Sequence, residues 1–209
     1  MMFQVGLTGG MGSGKTVVCS VLGKLGIPVY DADSRARRIM NEDPLLRVEI
    51  VELFGKEAYL DGTLNRSFLA DRVFGDQEML SRLNKLVHPA VRRDYSSWLA
   101  LQTSPYVVEE AAILFESGAD RFMDMIILVY APMELRISRV MERDGIGEEQ
   151  VRKRMKHQMD EEEKKGLADR VITNDGNEML LPQIIALHQE ILERVKHTKG
   201  SPGNTKLNN

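Results

Sequence analysis

The sequence has one cysteine, little net charge and no long apolar run, and each shortage excludes a class of protein. Cys19, the single cysteine, cannot form a disulfide within the chain, as expected of a protein in a reducing compartment. Apolar runs stay short of the roughly 18 residues of a membrane-spanning helix, and the N-terminus has no basic segment followed by an apolar one. We therefore expect a cytoplasmic protein with neither a membrane span nor a signal peptide.

The charges are nearly balanced, which argues against a nucleic-acid partner. The 28 Lys and Arg residues are matched by 31 Asp and Glu residues, giving a formal net charge of −3 at pH 7. Binding to the phosphate backbone of DNA or RNA usually requires a basic surface. Nucleic acid is therefore the least favoured class of partner. The sequence leaves the oligomeric state open, with a monomer favoured.

Apolar periodicity predicts strands and helices in alternation. The predicted strands are residues 3–8, 27–33, 106–111, 125–132 and 170–173, and the predicted helices follow Lys15 and cover 133–143 and 179–195. Residues 34–101 are mostly helical by pattern, with a turn at 61–65 and an interruption at Pro89. Such alternation is typical of a parallel sheet covered by helices on both faces.

The predicted fold is therefore a three-layer α/β fold with a mostly parallel central sheet of about five strands. Residues 1–198 would form a single domain, with a helical substrate-binding insertion at about 60–101 and a helical lid at about 139–165. Residues 199–209 are polar and contain glycine and proline, so we predict a disordered tail there.

The segment GGMGSGKT, residues 9–16, is too rich in glycine for regular structure and stands between a predicted strand and a predicted helix. Its pattern Gly-x-x-x-x-Gly-Lys-Thr is that of a phosphate-binding loop, or P-loop. Backbone N–H groups of such a loop surround an anion at the N-terminus of the helix. Lys15 would bridge the β- and γ-phosphates of a nucleotide, and the Thr16 hydroxyl would ligate Mg²⁺. A glycine-rich turn that binds nothing is the weaker interpretation.

The other motifs favour a small phosphotransferase with the P-loop kinase fold. The sequence has no Asn-Lys-x-Asp motif for reading a guanine base, and its one Asp-x-x-Gly, residues 144–147, follows a predicted helix instead of a strand. A motor ATPase would need a long second domain, which the chain does not provide. GTPases and motors are therefore disfavoured.

Asp31 and Asp33 stand at the end of the second predicted strand. The carboxyl ends of parallel strands line the ligand crevice of an open sheet, so both side chains are expected near the P-loop. In an extended strand they would share a face, because side chains alternate with a period of two. A carboxylate there can accept or orient the proton of an attacking hydroxyl. Capping of the following helix by Asp33 is the alternative role, and one side chain can serve both.

Arginines follow the fourth predicted strand at positions 136, 139 and 143, and Arg152 and Arg154 come after the next turn. Phosphoryl transfer needs cations that neutralise the γ-phosphate oxygens, and arginines on a lid supply them while excluding water. A solvated helix with glutamate partners is about equally plausible for any single one of them.

An ordered set of motifs resembles the dephospho-CoA kinase family. These motifs are GLTGGMGSGKT, YDAD, LNR…LA..VF, VHPAV, ILFESG, ELRISRVMERDG and ADRVITNDG, and together they cover about residues 5–192. Two positions depart from the family pattern: Ala112 replaces a usual proline, and Glu110 stands where the family often has aspartate. Neither change removes a group that the reaction needs.

The resemblance implies ATP-dependent phosphorylation of the ribose 3′-hydroxyl of dephospho-CoA, the last step of coenzyme A biosynthesis, with ATP and Mg²⁺ required. The implied catalytic residues are Asp33, Lys15, Arg139 and Arg143. The implied nucleotide-binding residues are Gly10, Met11, Gly12, Ser13, Gly14, Lys15, Thr16, Val17, Asn174, Asp175 and Gly176, with Thr16 also a metal ligand. The implied acceptor-binding residues are Asp33, His88, Leu114, Phe115 and Glu116, of which His88 could equally be structural.

Two other functions stay open at this point. Another small-molecule or nucleoside monophosphate kinase would share the fold and the P-loop. A regulatory nucleotide-binding protein is disfavoured, because mere binding does not need Asp33 or the lid arginines.

Overall fold

The computed structural model of the chain describes residues 2–73, 75–156 and 158–200. In chain order the helices and strands are β1 (Phe3–Thr8), α1 (Lys15–Lys24), β2 (Val29–Asp31), α2 (Ala32–Glu42), α3 (Pro44–Phe54), β3 (Tyr59–Leu60), β4 (Thr63–Leu64), α4 (Arg66–Val73), α5 (Gln77–Leu99), β5 (Tyr106–Glu110), β6 (Met125–Tyr130), α6 (Met133–Asp144), α7 (Glu148–Met155), α8 (Glu161–Leu167), β7 (Arg170–Thr173) and α9 (Leu180–Gly200). The chain divides into two compact units, one made of Met1–Val29 and Thr103–Asn209 and the other of Tyr30–Gln102.

The main sheet has five strands in the order β2-β5-β1-β6-β7, and its strands β1, β5, β6 and β7 belong to the first unit. β1 pairs in parallel with β5 and with β6, and β6 pairs in parallel with β7. This arrangement confirms the predicted α/β fold with a mostly parallel central sheet. Because β1 is the middle strand, the loop that follows it emerges at the centre of the carboxyl edge, where open parallel sheets bind ligands.

The core of the first unit joins the sheet to helices α1 and α9. Val5 and Leu7 of the middle strand are fully buried, because parallel strands covered on both faces carry apolar residues at most positions. Val18 and Leu22 of α1 and Ile184, Leu187 and Ile191 of α9 belong to the same apolar cluster. Both helices therefore hold the sheet, and through it the loop between β1 and α1, in a fixed place.

The second unit is helical and contains one small hairpin. β3 and β4 are antiparallel and are joined by Asp61 and Gly62, whose φ values are 49° and 78°. Two successive positive φ values are what the favoured two-residue hairpin turn requires, and the Asp-Gly pair supplies them. The core of this unit is made by α2 to α5 and contains Ile39, Leu46, Ile50, Phe54, Ala58, Leu64, Leu69, Val87 and Ala90.

The second strand is shorter than predicted, and this changes the position of Asp33. β2 ends at Asp31, and α2 begins at Ala32. Oδ1 of Asp31 accepts a hydrogen bond of 2.8 Å from the backbone N–H of Ser34, and Oδ2 accepts one of 2.6 Å from its hydroxyl. Asp31 is therefore the N-cap, and the predictions of a capping role for Asp33 and of a shared strand face for both carboxylates are wrong. Asp33 lies in the first turn of α2.

The predicted interruption at Pro89 is also wrong, since α5 continues through this residue. A proline in a helix interior costs about 3 kcal/mol, because it lacks the N–H group and crowds the preceding turn. Burial of Val87, Ala90 and Tyr95 on the same helix offsets that cost. Tyr95 stacks with Trp98, at 5.8 Å between ring centroids.

The last strand has the predicted bounds, and α9 starts one residue after the predicted start. α9 continues to Gly200, five residues past the predicted end of the helix and two residues into the predicted tail. The rest of the predicted tail, 201–209, lies outside the described residues. In the part of the chain that the structure describes, no helix is long and apolar enough to cross a membrane.

The packing of α9 predicts that substitution of two leucines on that helix lowers the free energy of unfolding by different amounts. Leu187 is 6% exposed and Leu181 is 55% exposed. Leu187→Ala should lower the free energy of unfolding by about 2–5 kcal/mol, because it leaves a cavity in the core. Leu181→Ala should lower it by less than about 1 kcal/mol. Urea unfolding followed by circular dichroism measures both, and equal losses would contradict the assigned face of α9.

Candidate active site

The P-loop connects β1 to α1 through a series of backbone conformations that favour glycine. Gly9, Gly12 and Gly14 have φ values of 148°, 82° and 102°. The N–H of Ser13 donates to the carbonyl of Gly10 at 3.1 Å, which closes the turn, and Gly14 is the N-cap of α1. The loop therefore ends at the positive end of a helix dipole, as a phosphate site requires.

Close approach of other elements also demands glycine in this loop. A Cβ atom on Gly12 would lie 2.5 Å from the carbonyl oxygen of Arg136, and one on Gly14 would overlap the side-chain amide of Asn174. α6 and the segment after β7 thus pack directly against the outside of the loop. The space inside the loop stays available to an anion because the supports stand behind it.

Lys15 folds back over the loop. Its Nζ donates to the carbonyl of Gly9 at 2.9 Å and lies 3.5 Å from Oε1 of Glu110, at the end of β5. An ammonium group has three N–H donors, so Lys15 can also reach a phosphate oxygen from this position. Thr16 is exposed, and so is Val17, whose side chain lies on the solvent side of α1.

Arg139 and Asn174 bind backbone carbonyl groups of the P-loop. Nη1 of Arg139 lies 3.4 Å from the carbonyl oxygen of Gly12 and 3.2 Å from that of Asn174, and its Nη2 lies 3.2 Å from Oδ1 of Asn174. Nδ2 of Asn174 donates to the carbonyl of Ser13 at 2.7 Å. Asn174 is buried, so these bonds are shielded from water. The structure thus brings together two residues that are 35 positions apart in the sequence.

Arg143, the other predicted lid arginine, is engaged elsewhere on α6. Its Nε donates to Asp144 at 2.7 Å, and Arg154 of α7 lies 3.2 Å from the same carboxylate. The hydrogen bond from Arg143 is the main reason that the pKa of Asp144 is lowered from its ordinary value. Because the Arg143 side chain is 61% exposed, a phosphate could compete with Asp144 for it.

Asp175 and Gly176 form the turn after β7. Oδ1 of Asp175 accepts hydrogen bonds from the backbone N–H groups of Glu178 (3.0 Å) and Asn177 (2.9 Å), which lower its pKa. Gly176 has a φ of 90°. Of the three residues predicted to contact adenine, Asn174 is therefore held against the P-loop, while Asp175 and Gly176 shape the adjacent turn.

The segment after β5 holds three predicted acceptor-binding residues in different surroundings. Leu114 is fully buried, Phe115 is half-buried, and the Glu116 side chain is 22% exposed. Oε1 of Glu116 accepts a hydrogen bond of 2.7 Å from the backbone N–H of Met159 and lies 3.3 Å from Nζ of Lys164. Leu114 thus supports this segment from the core, and Glu116 connects it to α8.

Two further predicted residues belong to the helical unit. Asp33 is half-buried in the first turn of α2. His88 lies inside α5 and is half-buried, and burial, with a smaller contribution from the charge of Arg92, lowers its pKa. His88 is therefore in the middle of a helix and not at a helix break.

Sequence reasoning missed Glu161 and Lys164. Both are buried in the structure, and Glu161 lies beside Arg136, at 3.9 Å from Nη1. The segment EEEKKG looks like a solvated helix in the sequence, so its charge pattern gave no signal.

A divalent cation at the P-loop would be held mainly by the phosphates of a bound nucleotide. Within residues 2–73, 75–156 and 158–200, no group of three or more His, Cys, Asp or Glu side chains is arranged to hold a metal ion. The exposed hydroxyl of Thr16, at the second residue of α1, is a single oxygen ligand next to the cradle. Mg²⁺ commonly takes most of its ligands from phosphate and water.

Comparison with known proteins identifies the family. The family model for dephospho-CoA kinase matches residues 3–180. The chain belongs to the dephospho-CoA kinase family. A dephospho-CoA kinase from Bacteroides fragilis is 37% identical over 205 residues, covering 98% of this chain and 100% of the relative. One from Salinibacter ruber is 45% identical over 179 residues, covering 84% of this chain and 90% of the relative.

Solved structures agree with membership of the dephospho-CoA kinase family. A Thermus thermophilus protein has 37% identity and a TM-score of 0.76, with coverage of 95% of this chain and 96% of that one. Dephospho-CoA kinase from Campylobacter jejuni has 27% identity and a TM-score of 0.67, with coverage of 93% and 99%. Shikimate kinase from Acinetobacter baumannii, at 17% identity and a TM-score of 0.54, shares the fold alone.

The brace behind the P-loop predicts an effect of Asn174→Ala on nucleotide binding. The variant leaves the buried Ser13 carbonyl without its 2.7 Å donor and removes an acceptor from Arg139. Loss of such bonds costs about 1–3 kcal/mol, so we expect the Kd for ATP to rise about tenfold. Asn177→Ala, in the exposed turn that follows, should bind ATP like the unmodified protein. Titration calorimetry measures both, and equal affinities would contradict the bracing role.

Proposed function

We infer that the protein transfers the γ-phosphoryl group of ATP to the ribose 3′-hydroxyl of dephospho-CoA, which yields coenzyme A and ADP. The observation that carries this function is a glycine-rich P-loop at the N-terminus of α1, in a chain that matches the dephospho-CoA kinase family over residues 3–180. The P-loop indicates a nucleotide as the phosphoryl donor, and membership of the family indicates dephospho-CoA as the acceptor. Phosphoryl transfer depends mainly on positioning and on electrostatic stabilisation, both of which this loop can provide.

The donor site follows from the P-loop geometry. Backbone N–H groups of the P-loop would bind the phosphates at the positive end of α1, whereas those of Met11 and Ser13 donate within the protein, to Gln158 and Gly10. Lys15 would bridge the β- and γ-phosphates. Mg²⁺, held by the phosphates and by the Thr16 hydroxyl, would neutralise charge on the β- and γ-oxygens. Asp175 and Gly176 are proposed to border the adenine, next to the braced Asn174.

The acceptor is proposed to be activated by Asp33. A carboxylate that accepts or orients the proton of the 3′-hydroxyl makes that oxygen a better nucleophile. Asp31 does not suit this role, because both of its oxygens bind Ser34 at the start of α2. His88, Phe115 and Glu116 are proposed to bind other parts of the acceptor, with Leu114 fixing the segment that carries two of them.

Cations on α6 are proposed to stabilise the transferred phosphoryl group. Arg139 already reaches the carbonyl of Gly12 on the P-loop, and Arg143 would exchange Asp144 for a phosphate oxygen. The segment of about 139–165 would act as a lid that excludes water during transfer. A cytoplasmic location and a monomeric state stay predictions.

A panel of acceptors tests the assignment. We expect ADP release, measured by a coupled assay with Mg²⁺ and ATP, when dephospho-CoA is present, and coenzyme A as the product by mass spectrometry. AMP, CMP, shikimate and gluconate should give no more than the background rate. Turnover of one of these compounds in place of dephospho-CoA would keep the kinase chemistry and overturn the acceptor.

Two neighbouring aspartates provide a matched test of the proposed base. Asp33→Asn should lower kcat by about 10²–10⁴ with little change in ATP affinity, because the lost group acts on the acceptor proton. Asp31→Asn should keep most of the activity, since asparagine is also a good N-cap. Steady-state kinetics measures kcat for both variants, and calorimetry measures their affinity for ATP. Near-normal turnover by Asp33→Asn would rule out its role.

A further inference from the structure

Residues 158–164, the end of the α7–α8 connection and the start of α8, contact two functional segments of the first unit. We call these residues the 158–164 strap. On one side the strap contacts the P-loop, and on the other it contacts the segment 112–116, which holds two of the proposed acceptor-binding residues. No part of the phosphate cradle itself belongs to the strap.

The P-loop side of the strap is formed by Gln158 and Glu161. Oε1 of Gln158 accepts a hydrogen bond of 3.0 Å from the backbone N–H of Met11. Oε1 of Glu161 lies 3.9 Å from Nη1 of Arg136, and both groups press against Gly10 so closely that a Cβ atom there would overlap the guanidinium. The strap thus fixes the outer surface of Gly10 and Met11.

The acceptor side of the strap is formed by Met159 and Lys164. Nζ of Lys164 donates to the carbonyl of Ala112 at 2.9 Å and pairs with Glu116 at 3.3 Å. Oε1 of Glu116 also accepts the backbone N–H of Met159 at 2.7 Å. Two residues of the strap therefore hold one carboxylate, and with it the end of segment 112–116.

Two charged side chains of the strap are buried, and removing a charge from water is energetically expensive. The side chain of Lys164 is 0% exposed and that of Glu161 is 7% exposed. Desolvation of such ions commonly offsets their mutual attraction, so buried pairs add little to stability. Burial raises the pKa of Glu161, although Arg136 and Lys164 oppose the shift. In the part of the chain that the structure describes, neither carboxylate oxygen of Glu161 has a well-formed hydrogen bond. Stability alone therefore gives no reason for this arrangement.

Glu161 and Lys164 are three residues apart, so they project from one face of α8 toward different segments. A single helical turn thereby sets the position of Gly10 relative to Ala112 and Glu116. Together with Arg136, the charges alternate in sign along the series Arg136, Glu161, Lys164 and Glu116.

We propose that Glu161 and Lys164 are positioning residues which hold the P-loop and the segment 112–116 in register, so that binding of ATP and binding of dephospho-CoA are coupled through α8. The proposal rests on the proposed function, because it takes 112–116 as the acceptor side. Glu161 acts on the donor through Gly10 and Arg136. Lys164 acts on the acceptor through Ala112 and Glu116.

The acceptor half is tested by Lys164→Met, with Lys165→Met as the matched control. Methionine keeps most of the side-chain length and removes the charge and the donors. Small displacements of positioning groups cost up to about a hundredfold, so we expect the KM for dephospho-CoA to rise about tenfold or more, and the KM for ATP to change less. Lys165 is about half exposed and pairs with Glu162, and its substitution should leave both constants unchanged.

The donor half is tested by Glu161→Gln, with Glu163→Gln as the matched control. This change keeps the shape of the side chain and removes its charge near Arg136. We expect the KM for ATP and its calorimetric Kd to rise about tenfold, with a smaller effect on dephospho-CoA. Glu163 is exposed on the same helix, and its variant should behave like the unmodified protein. In the double variant of Glu161 and Lys164 the two effects should not be additive, because both act through α8.

The outcomes separate positioning from a purely structural role. Variants that unfold at lower urea concentration but keep both KM values would overturn the proposal. If Lys164→Met fails to fold, Glu161→Gln carries the test through the KM for ATP. If the unmodified protein does not phosphorylate dephospho-CoA, the proposed function fails first. Calorimetry with ATP alone still tests the donor half, and an unchanged Kd in Glu161→Gln would overturn it.

Discussion

The architecture of the site depends on one constraint: the backbone of residues 9–14 must keep the irregular conformation of a phosphate-binding loop at the N-terminus of α1. Positive φ at Gly9, Gly12 and Gly14 makes this possible, but glycine is flexible and does not by itself hold a conformation. The conformation of the loop therefore has to be fixed by the rigid elements next to it. The middle strand β1 and the helix α1 fix the two ends of the loop, and their burial in the main core makes those ends immobile.

The outside of the loop is fixed by polar groups that come from distant parts of the chain. Arg139 and Asn174 hold Gly12 and Ser13, while Gln158, Arg136 and Glu161 stand against Gly10 and Met11. These contacts hold the backbone conformation of the loop. Preorganised donors of this kind need no rearrangement when charge develops, which is the main source of catalysis in phosphoryl transfer.

The segment from α6 to α8 contains two kinds of charged residue, exposed and buried, with different consequences. Arg143, Arg152 and Arg154 form exposed pairs that exchange easily with solvent or with a phosphate. Glu161 and Lys164 are buried, and each contacts a segment of the proposed site. The same run of sequence therefore contains both exposed, exchangeable ion pairs and buried charged contacts, and burial distinguishes them.

The sequence by itself determined the alternation of strands and helices, the phosphate loop and the family, because periodicity and a fixed glycine spacing are local properties of the chain. It did not determine that Asp31 takes the cap and leaves Asp33 inside a helix, or that α5 passes through Pro89. It also gave no sign that Lys164 is buried. Only the tertiary structure decided these points, because they depend on competing hydrogen bonds and on neighbours such as Gly10 and Ala112, which approach from far along the chain.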